Sequence, residues 1–286
     1  MKKEKKLNKN RIFSLILLIA LFVGLSLLFY PSVSQYWNKK VQSKATIDYE
    51  KIASQLTDEQ IEKMFIEADM YNIELSKLNF PLTEYEKLSS IYKKTLNADR
   101  KGMIGYISIE KINVELPVYH TVGKYVLNNY CGHMEGSSLP SFNKGVHTVL
   151  SAHRGLPNST LFTHLDKLEL GDIFYLNILN TTLVYQVDQI KTVKPEDLSD
   201  IQIDKDENYC TLLTCTPYGI NSHRLLVRGK LIKNENDRML ILSPNAYLID
   251  KLIIIPAIAL PIIFVLILIV LLKPVKKKFK PEDFYH

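Results

Sequence analysis

Two stretches of this chain carry no charge. Ile12 to Tyr30 runs for nineteen residues and Leu252 to Leu272 for twenty-one, the second interrupted only by Pro256 and Pro261. At helical rise each spans about 28–32 Å, the thickness of bilayer hydrocarbon. Prolines are tolerated in such helices. Between the two stretches the pattern is first helical and then β-like. Thr57-Asp58-Glu59-Gln60 is a capping box, and Ile61, Met64, Phe65 and Ala68 follow at helical spacing. Asn79-Phe80-Pro81 ends that helix, because proline disfavours helix at the residue before it. A second, shorter helix is expected over Thr83–Leu96. From Gly102 onward the runs are short and β-prone: Ile104–Ile109, Val114–Tyr119, Val146–Ser151, Ile173–Ile178, Thr182–Ile190, Tyr209–Thr214 and Leu225–Ile232. Leu179-Asn180 can turn a hairpin, and Ser159–Leu168 reads as a short helix. The fold class is mainly β: many short strands with longer connections predict a closed or nearly closed barrel. There is no internal repeat and no low-complexity tract.

Charge fixes the orientation. The formal net charge is +6, but residues 1–11 carry +5 and residues 273–286 carry +3, so residues 12–272 net −2. Basic residues confined to the two ends argue for membrane flanks and against a nucleic-acid surface. The positive-inside rule then puts both termini in the cytoplasm and the middle of the chain outside the cell membrane. The segments are a basic tail (1–11), an anchor (12–30), a helical arm (31–101), one catalytic domain (102–235), a linker (236–251), a second transmembrane helix (252–272) and a basic tail (273–286). A cleaved signal peptide is the rival for 12–30, with small residues at Ser32-Val33-Ser34. The apolar run exceeds a usual signal core, which favours an uncleaved anchor.

Candidate chemistry sits at strand ends. The chain has three cysteines, Cys131, Cys210 and Cys215. Cys210 and Cys215 are five apart on one expected strand and face opposite ways, so they do not pair; a Cys131–Cys210 bridge stays open. Cys215 ends an apolar run, His153 ends another, and Arg224 begins the next run after Cys215. A thiol, a proton carrier and a fixed cation are the minimum set for acyl transfer at a carbonyl. Arg228 shares a strand face with Arg224, so parity alone does not choose between them. Arg154, beside the histidine, reads as structural or as a groove contact. His120, His133, His147, His164, His223 and His286 read as core or surface residues. No zinc-type spacing or EF-hand loop is present, so no metal is expected, and Asp197–Asp206 reads as a solvated loop.

Thr211-Leu212-Leu213-Thr214-Cys215, continued as CTPYGINSHRLLVRG, resembles the signature of sortases, the Gram-positive transpeptidases that cut a sorting signal and join it to an amine. Further blocks resemble the pilin-polymerising class C: GYISI at 105–109, LPVY at 116–119, GHMEGSSLP at 132–140 and AHRGLP at 152–157. The likeness runs from about Gly102 to Ile232. It implies the sortase β-barrel with short helices, preceded by the helical arm. It implies Cys215 as nucleophile, His153 as general acid and base, and Arg224 as oxyanion and substrate stabiliser, with Thr214 contacting substrate or lying just behind it. It implies no cofactor. The donor would be an LPxTG-like signal on a surface protein or pilin, and the acceptor a pilin lysine. The alternatives are a housekeeping sortase that uses a cell-wall precursor, a catalytically silent assembly or binding module on the same barrel, and a cysteine hydrolase. One departure stands out. Class C members often plug the site with an Asp-Pro-aromatic lid, whereas residues 75–90 hold Asn79-Phe80-Pro81 and no such triplet. Any lid would use Phe80 or Tyr85.

Overall fold

The computed structural model describes residues 9–232. The second apolar stretch, 252–272, lies outside them, as do the segment 236–251, the tail 273–286 and residues 1–8. Of the described residues, 34–232 form one unit and 9–33 belong to another.

Helix α1, Lys9–Ala53, carries Pro31 in its interior, so the helix runs on across the expected boundary between anchor and arm. Among the described residues it is the one helix long and apolar enough to cross a membrane, with a mean hydropathy of 2.4 in its apolar part. Its last turns bury Gln42, Thr46, Tyr49 and Ala53, spaced as one helical face. The Tyr49 hydroxyl donates to the Ile104 carbonyl (2.5 Å) and accepts the Leu179 N–H (2.9 Å). Glu50 accepts from the Tyr106 hydroxyl at 2.6 Å. Helix α2, Asp58–Ser76, begins at the expected box: Thr57 Oγ1 accepts the Gln60 N–H, and Gln60 Oε1 accepts the Thr57 N–H. Such a cap stabilises by about 1 kcal/mol. Asn72 on α2 forms both bonds with the backbone of Leu139, each 2.8 Å, and so pins the helix to the barrel.

The expected helix over Thr83–Leu96 is instead three short pieces. These are α3 (Pro81–Glu84), a 3₁₀ turn (Tyr85–Leu88) and α4 (Ser89–Tyr92). Glu84 and Leu88 both adopt ψ of 3°, in the bridge region, which interrupts the helical ladder twice.

Eight strands close into a barrel: β1 (Met103–Ile109), β2 (Val114–His120), β3 (Cys131–His133), β4 (Val146–Ser151), β5 (Ile173–Ile178), β6 (Thr181–Val193), β7 (Asn208–Thr216) and β8 (His223–Leu231). Their order around the barrel is β1-β2-β3-β4-β7-β8-β6-β5. The β2–β3 and β4–β7 pairs are parallel, and the other neighbours are antiparallel. The two-residue turn Leu179-Asn180 joins β5 to β6, with Ile178 paired to Thr181. Seven strands follow the apolar pattern. The eighth, β3, is three residues long and contains Gly132, too short to show alternation. A Cβ on Gly132 would lie 2.4 Å from the Thr121 carbonyl oxygen, so only glycine fits. The expected helix Ser159–Leu168 is also corrected: only a 3₁₀ turn, Leu165–Lys167, forms at its end. The Phe162 N–H is donated to the His153 carbonyl (3.1 Å), a loop contact that takes a donor away from any helical ladder.

Candidate active site

Strands β4, β7 and β8 are neighbours, and each brings one candidate residue to the same end of the barrel. The parallel pair β4–β7 sets Ser151 opposite Leu213. Beyond the last strand pair the register continues: the Ala152 N–H donates to the Leu213 carbonyl (3.2 Å), and the Thr214 hydroxyl donates to the Ala152 carbonyl (2.8 Å). His153 is the next residue on one side and Cys215 the next on the other. Across the antiparallel pair β7–β8, Cys215 lies directly opposite Arg224. Directly paired residues project to the same face of a sheet. A cleft of about 240 Å³ is lined by Cys215, His153, Arg224 and Thr214 together with apolar side chains that include Leu127 and Met134.

The three thiols differ in surroundings. Cys131 and Cys210 are fully buried, and burial pushes both well above the ordinary thiol range. All three cysteines are free, so the Cys131–Cys210 bridge left open by the sequence does not form. Cys215 alone is half-exposed. His153 is half-buried, and loss of water around its ring lowers its pKa below the usual histidine value. Thr214 is buried with its hydroxyl committed to the chain just before His153, so it ties the thiol strand to the histidine strand.

The two arginines on β8 separate clearly. Arg228 forms a two-pronged pair with Asp188 (3.0 and 2.7 Å) and lies over the Tyr209 ring, 4.1 Å from its centroid. Arg224 pairs with no carboxylate among the described residues; its Nη1 donates to the carbonyls of Asn221 (3.2 Å) and His223 (3.1 Å). Carbonyl contacts on a loop leave a guanidinium charge uncompensated and available to an anion. Arg154 is nearly buried, paired with Asp166, and donates to Thr216 Oγ1 at 3.3 Å. Met134 lies within the GHMEGSSLP block, though nothing in the block marks it as a lining residue; sequence reasoning had no signal for Leu127 in the cleft or for Asp166 as the partner of Arg154. Of the remaining histidines, His120, His133 and His147 are buried and hydrogen-bonded inside the barrel unit. Burial holds His133 down to about 3. His286 lies outside the described residues. No group of three or more metal-ligating side chains occurs among the described residues.

Neither expected lid residue lines the cleft. Phe80 is 68% exposed, and Tyr85 is half-buried at the start of a 3₁₀ turn. The segment does dock beside the cleft, through a different residue. Leu82 packs against the small buried cluster of Val149, Ile201 and Leu226, against which the lining residues Met134 and Leu213 also pack. The backbone passes so close that a Cβ on Gly136 (φ 84°) would lie 2.6 Å from the Pro81 carbonyl oxygen. Pro81 starts the short helix α3, which leaves Phe80 exposed before it and Leu82 half-buried in its first turn.

Comparison with known proteins agrees with this geometry. The sortase-domain family profile matches residues 107–232. Sortase C1 from Streptococcus agalactiae is 47% identical, with a TM-score of 0.63; the match covers 67% of this chain and all of that one. A Streptococcus pneumoniae sortase C, described in terms of its catalysis and pilin substrate specificity, is 41% identical with a TM-score of 0.59, covering 67% of this chain and 97% of that one. Sortase A of Bacillus anthracis is 27% identical over 79% of this chain and 97% of its own length.

Proposed function

Because this chain belongs to the sortase family of cysteine transpeptidases, with class C sortases among its structural neighbours, we propose that it cleaves an LPxTG-like sorting signal and transfers the acyl part to an amine, with Cys215, His153 and Arg224 as the catalytic residues. The observation that carries this reading is the side-by-side arrangement of β4, β7 and β8, which sets His153 and Arg224 on either side of Cys215. His153, whose partial burial favours the neutral ring over the charged one, accepts the Cys215 proton as the sulfur attacks the carbonyl between Thr and Gly of the signal. Arg224 stabilises the oxyanion that forms. The C–N bond breaks, His153 returns the proton to the leaving amine, and a thioester remains on Cys215. An incoming amine loses a proton to His153 and attacks the thioester, and the thiol is restored. The peptide-bond energy is kept in the thioester, so no cofactor enters.

The acceptor in this proposal is a pilin lysine, supported by the greater identity to the sortases C than to sortase A. A wall precursor is the alternative acceptor. The proposed setting is the cell membrane, with the apolar part of α1 and residues 252–272 as spans, both termini cytoplasmic and the barrel outside. Residues 102–235 are then the catalytic domain, and residues 31–101 the arm that carries it. Protease added to intact protoplasts checks this topology: tags at both ends should survive, and a digested C-terminal tag contradicts it.

Product analysis tests the reaction. The purified protein is given an LPxTG-type peptide with a lysine-bearing pilin peptide, with a wall-precursor amine, or with neither. An isopeptide product with the lysine peptide is expected. Product with the wall amine alone favours the housekeeping role, release to water alone makes the chain a hydrolase, and no cleavage at all favours a silent module.

A further inference from the structure

Gln35, Asn38 and Gln42 recur along α1 three and four residues apart, which places them on one stripe of the helix. That stripe meets the chain just after His153. Gln35 Nε2 donates to the Pro157 carbonyl (3.2 Å), and Asn38 Nδ2 donates to the Asn158 carbonyl (2.8 Å). Gln42 Nε2 reaches two partners: the Asn129 carbonyl at 2.6 Å and Ser159 Oγ at 3.4 Å. Gln42 and Ser159 are only 6% and 3% exposed, so these bonds lie in a closed contact. Three of the four acceptors are main-chain carbonyls, so the contact fixes the path of the backbone itself.

The segment 154–160 needs such support. It has no strand or helix of its own beyond a single bridge between Leu156 and Ser159, and Gly155 sits at φ 77°. On the barrel side it is held by the Phe162 N–H on the His153 carbonyl, the Gly155 N–H on Thr163 Oγ1 and Arg154 on Thr216. On the other side it is held by α1. Gln42 also joins this segment to Asn129, the last residue of the short helix α5 (Lys124–Asn129), whose Leu127 lines the cleft. One side chain thus ties the segment that follows His153 to the helix that carries Leu127.

We propose that the Gln35-Asn38-Gln42 stripe of α1 is a positioning element for His153, holding segment 154–160 and the end of α5 so that the imidazole stays beside Cys215. The inference rests on the reading of His153 as the acid/base group. On this view α1 supports the catalytic loop and is more than a spacer between membrane and barrel. Catalytic rates are sensitive to such support, since a displacement of about 1 Å from a distant change can cost about 100-fold.

The test uses the full-length protein in detergent micelles. The double variant Asn38→Ala/Gln42→Ala is compared with Glu50→Ala, which breaks a contact of the same helix with Tyr106 and touches nothing in 154–160. Cleavage of an LPxTG-type peptide, amide exchange of 154–160 and the NMR titration of the His153 ring are followed. In the double variant kcat should fall about 10- to 100-fold with KM within about twofold. Exchange at 154–160 should quicken, and the His153 titration should move up toward the ordinary histidine value as water reaches the ring. Glu50→Ala should change none of the three by more than about twofold, the scatter of a surface change. Unchanged exchange and kcat in the double variant overturn the proposal, as do equal effects from Glu50→Ala. If the double variant does not fold, Asn38→Ala alone, at a half-buried position, carries the same readouts. His153→Ala separates the two levels. Cleavage retained in His153→Ala removes the acid/base reading, and the proposal with it. Cleavage lost there while the stripe variants stay normal overturns the positioning claim alone.

Discussion

At the scale of residues, Arg224 and Arg228 differ by what surrounds them rather than by where they fall on β8. Both occupy the same strand parity, and the pattern alone left them equal. The features that separate them are Asp188, forty residues from Arg228, and the ring of Tyr209; neither pairing can be read from local sequence. Arg228 is neutralised in place, and Arg224 is not. Replacing Arg224 by Lys should therefore lower kcat/KM by about 100- to 1,000-fold, the usual cost of losing an oxyanion donor. Arg228→Lys should leave the rate within a few-fold while slightly lowering stability; equal rate losses would remove the assignment of Arg224. His153 carries a second expectation. Desolvation lowers its pKa, so the ring stays neutral, and able to take the thiol proton, to a lower pH than an ordinary histidine. As pH falls through that pKa the base is lost. The acid limb of kcat/KM for peptide cleavage should lie below about 6.5, the ordinary histidine value. A limb at or above that value would contradict the role given to its burial.

At the scale of elements, strands were legible wherever apolar runs were long enough to alternate, and the capping box at Thr57 marked the start of α2. Three features were not legible. Strand β3 is three residues long and relies on Gly132 for fit. The segment Ser159–Leu168 looked helical by composition but spends the Phe162 donor on His153. The run after Pro81 breaks into short turns that set which side chain packs against the barrel. Phe80 and Tyr85 were the natural lid candidates because aromatics pack over clefts; the structure turns Leu82 inward instead. Leu75 is buried in the main core and Leu78 and Leu88 pack against it, so the ends of the segment are fixed; its middle, with no aspartate to anchor it, rests on half-buried Leu82, worth roughly 1 kcal/mol. Labelling of Cys215 by a small thiol reagent should rise about fivefold in Leu82→Ala and change little in Phe80→Ala. Equal rates in wild type, Leu82→Ala and Phe80→Ala would make residues 75–90 a spacer.

At the scale of the whole molecule, the closed barrel is what makes a site out of residues far apart in the chain. Thr214 and Ala152 are sixty-two positions apart, yet one hydrogen bond joins them, because β4 and β7 run parallel as neighbours. The motifs in the sequence named the three residues, and only the strand order explains why they meet. The same unit includes the end of α1, so the part of the chain that leads from the apolar helix also packs on the loop after His153. The most direct measurement is the intact mass of the protein after brief incubation with an LPxTG-type peptide and no amine. Wild type should gain the mass of the acyl fragment ending at Thr, on Cys215, and should lose it when a lysine-bearing peptide is added. Cys215→Ala should gain nothing while keeping its fold. An adduct that forms on Cys215→Ala, or an acyl fragment on wild type that no amine removes, would contradict transpeptidation through Cys215.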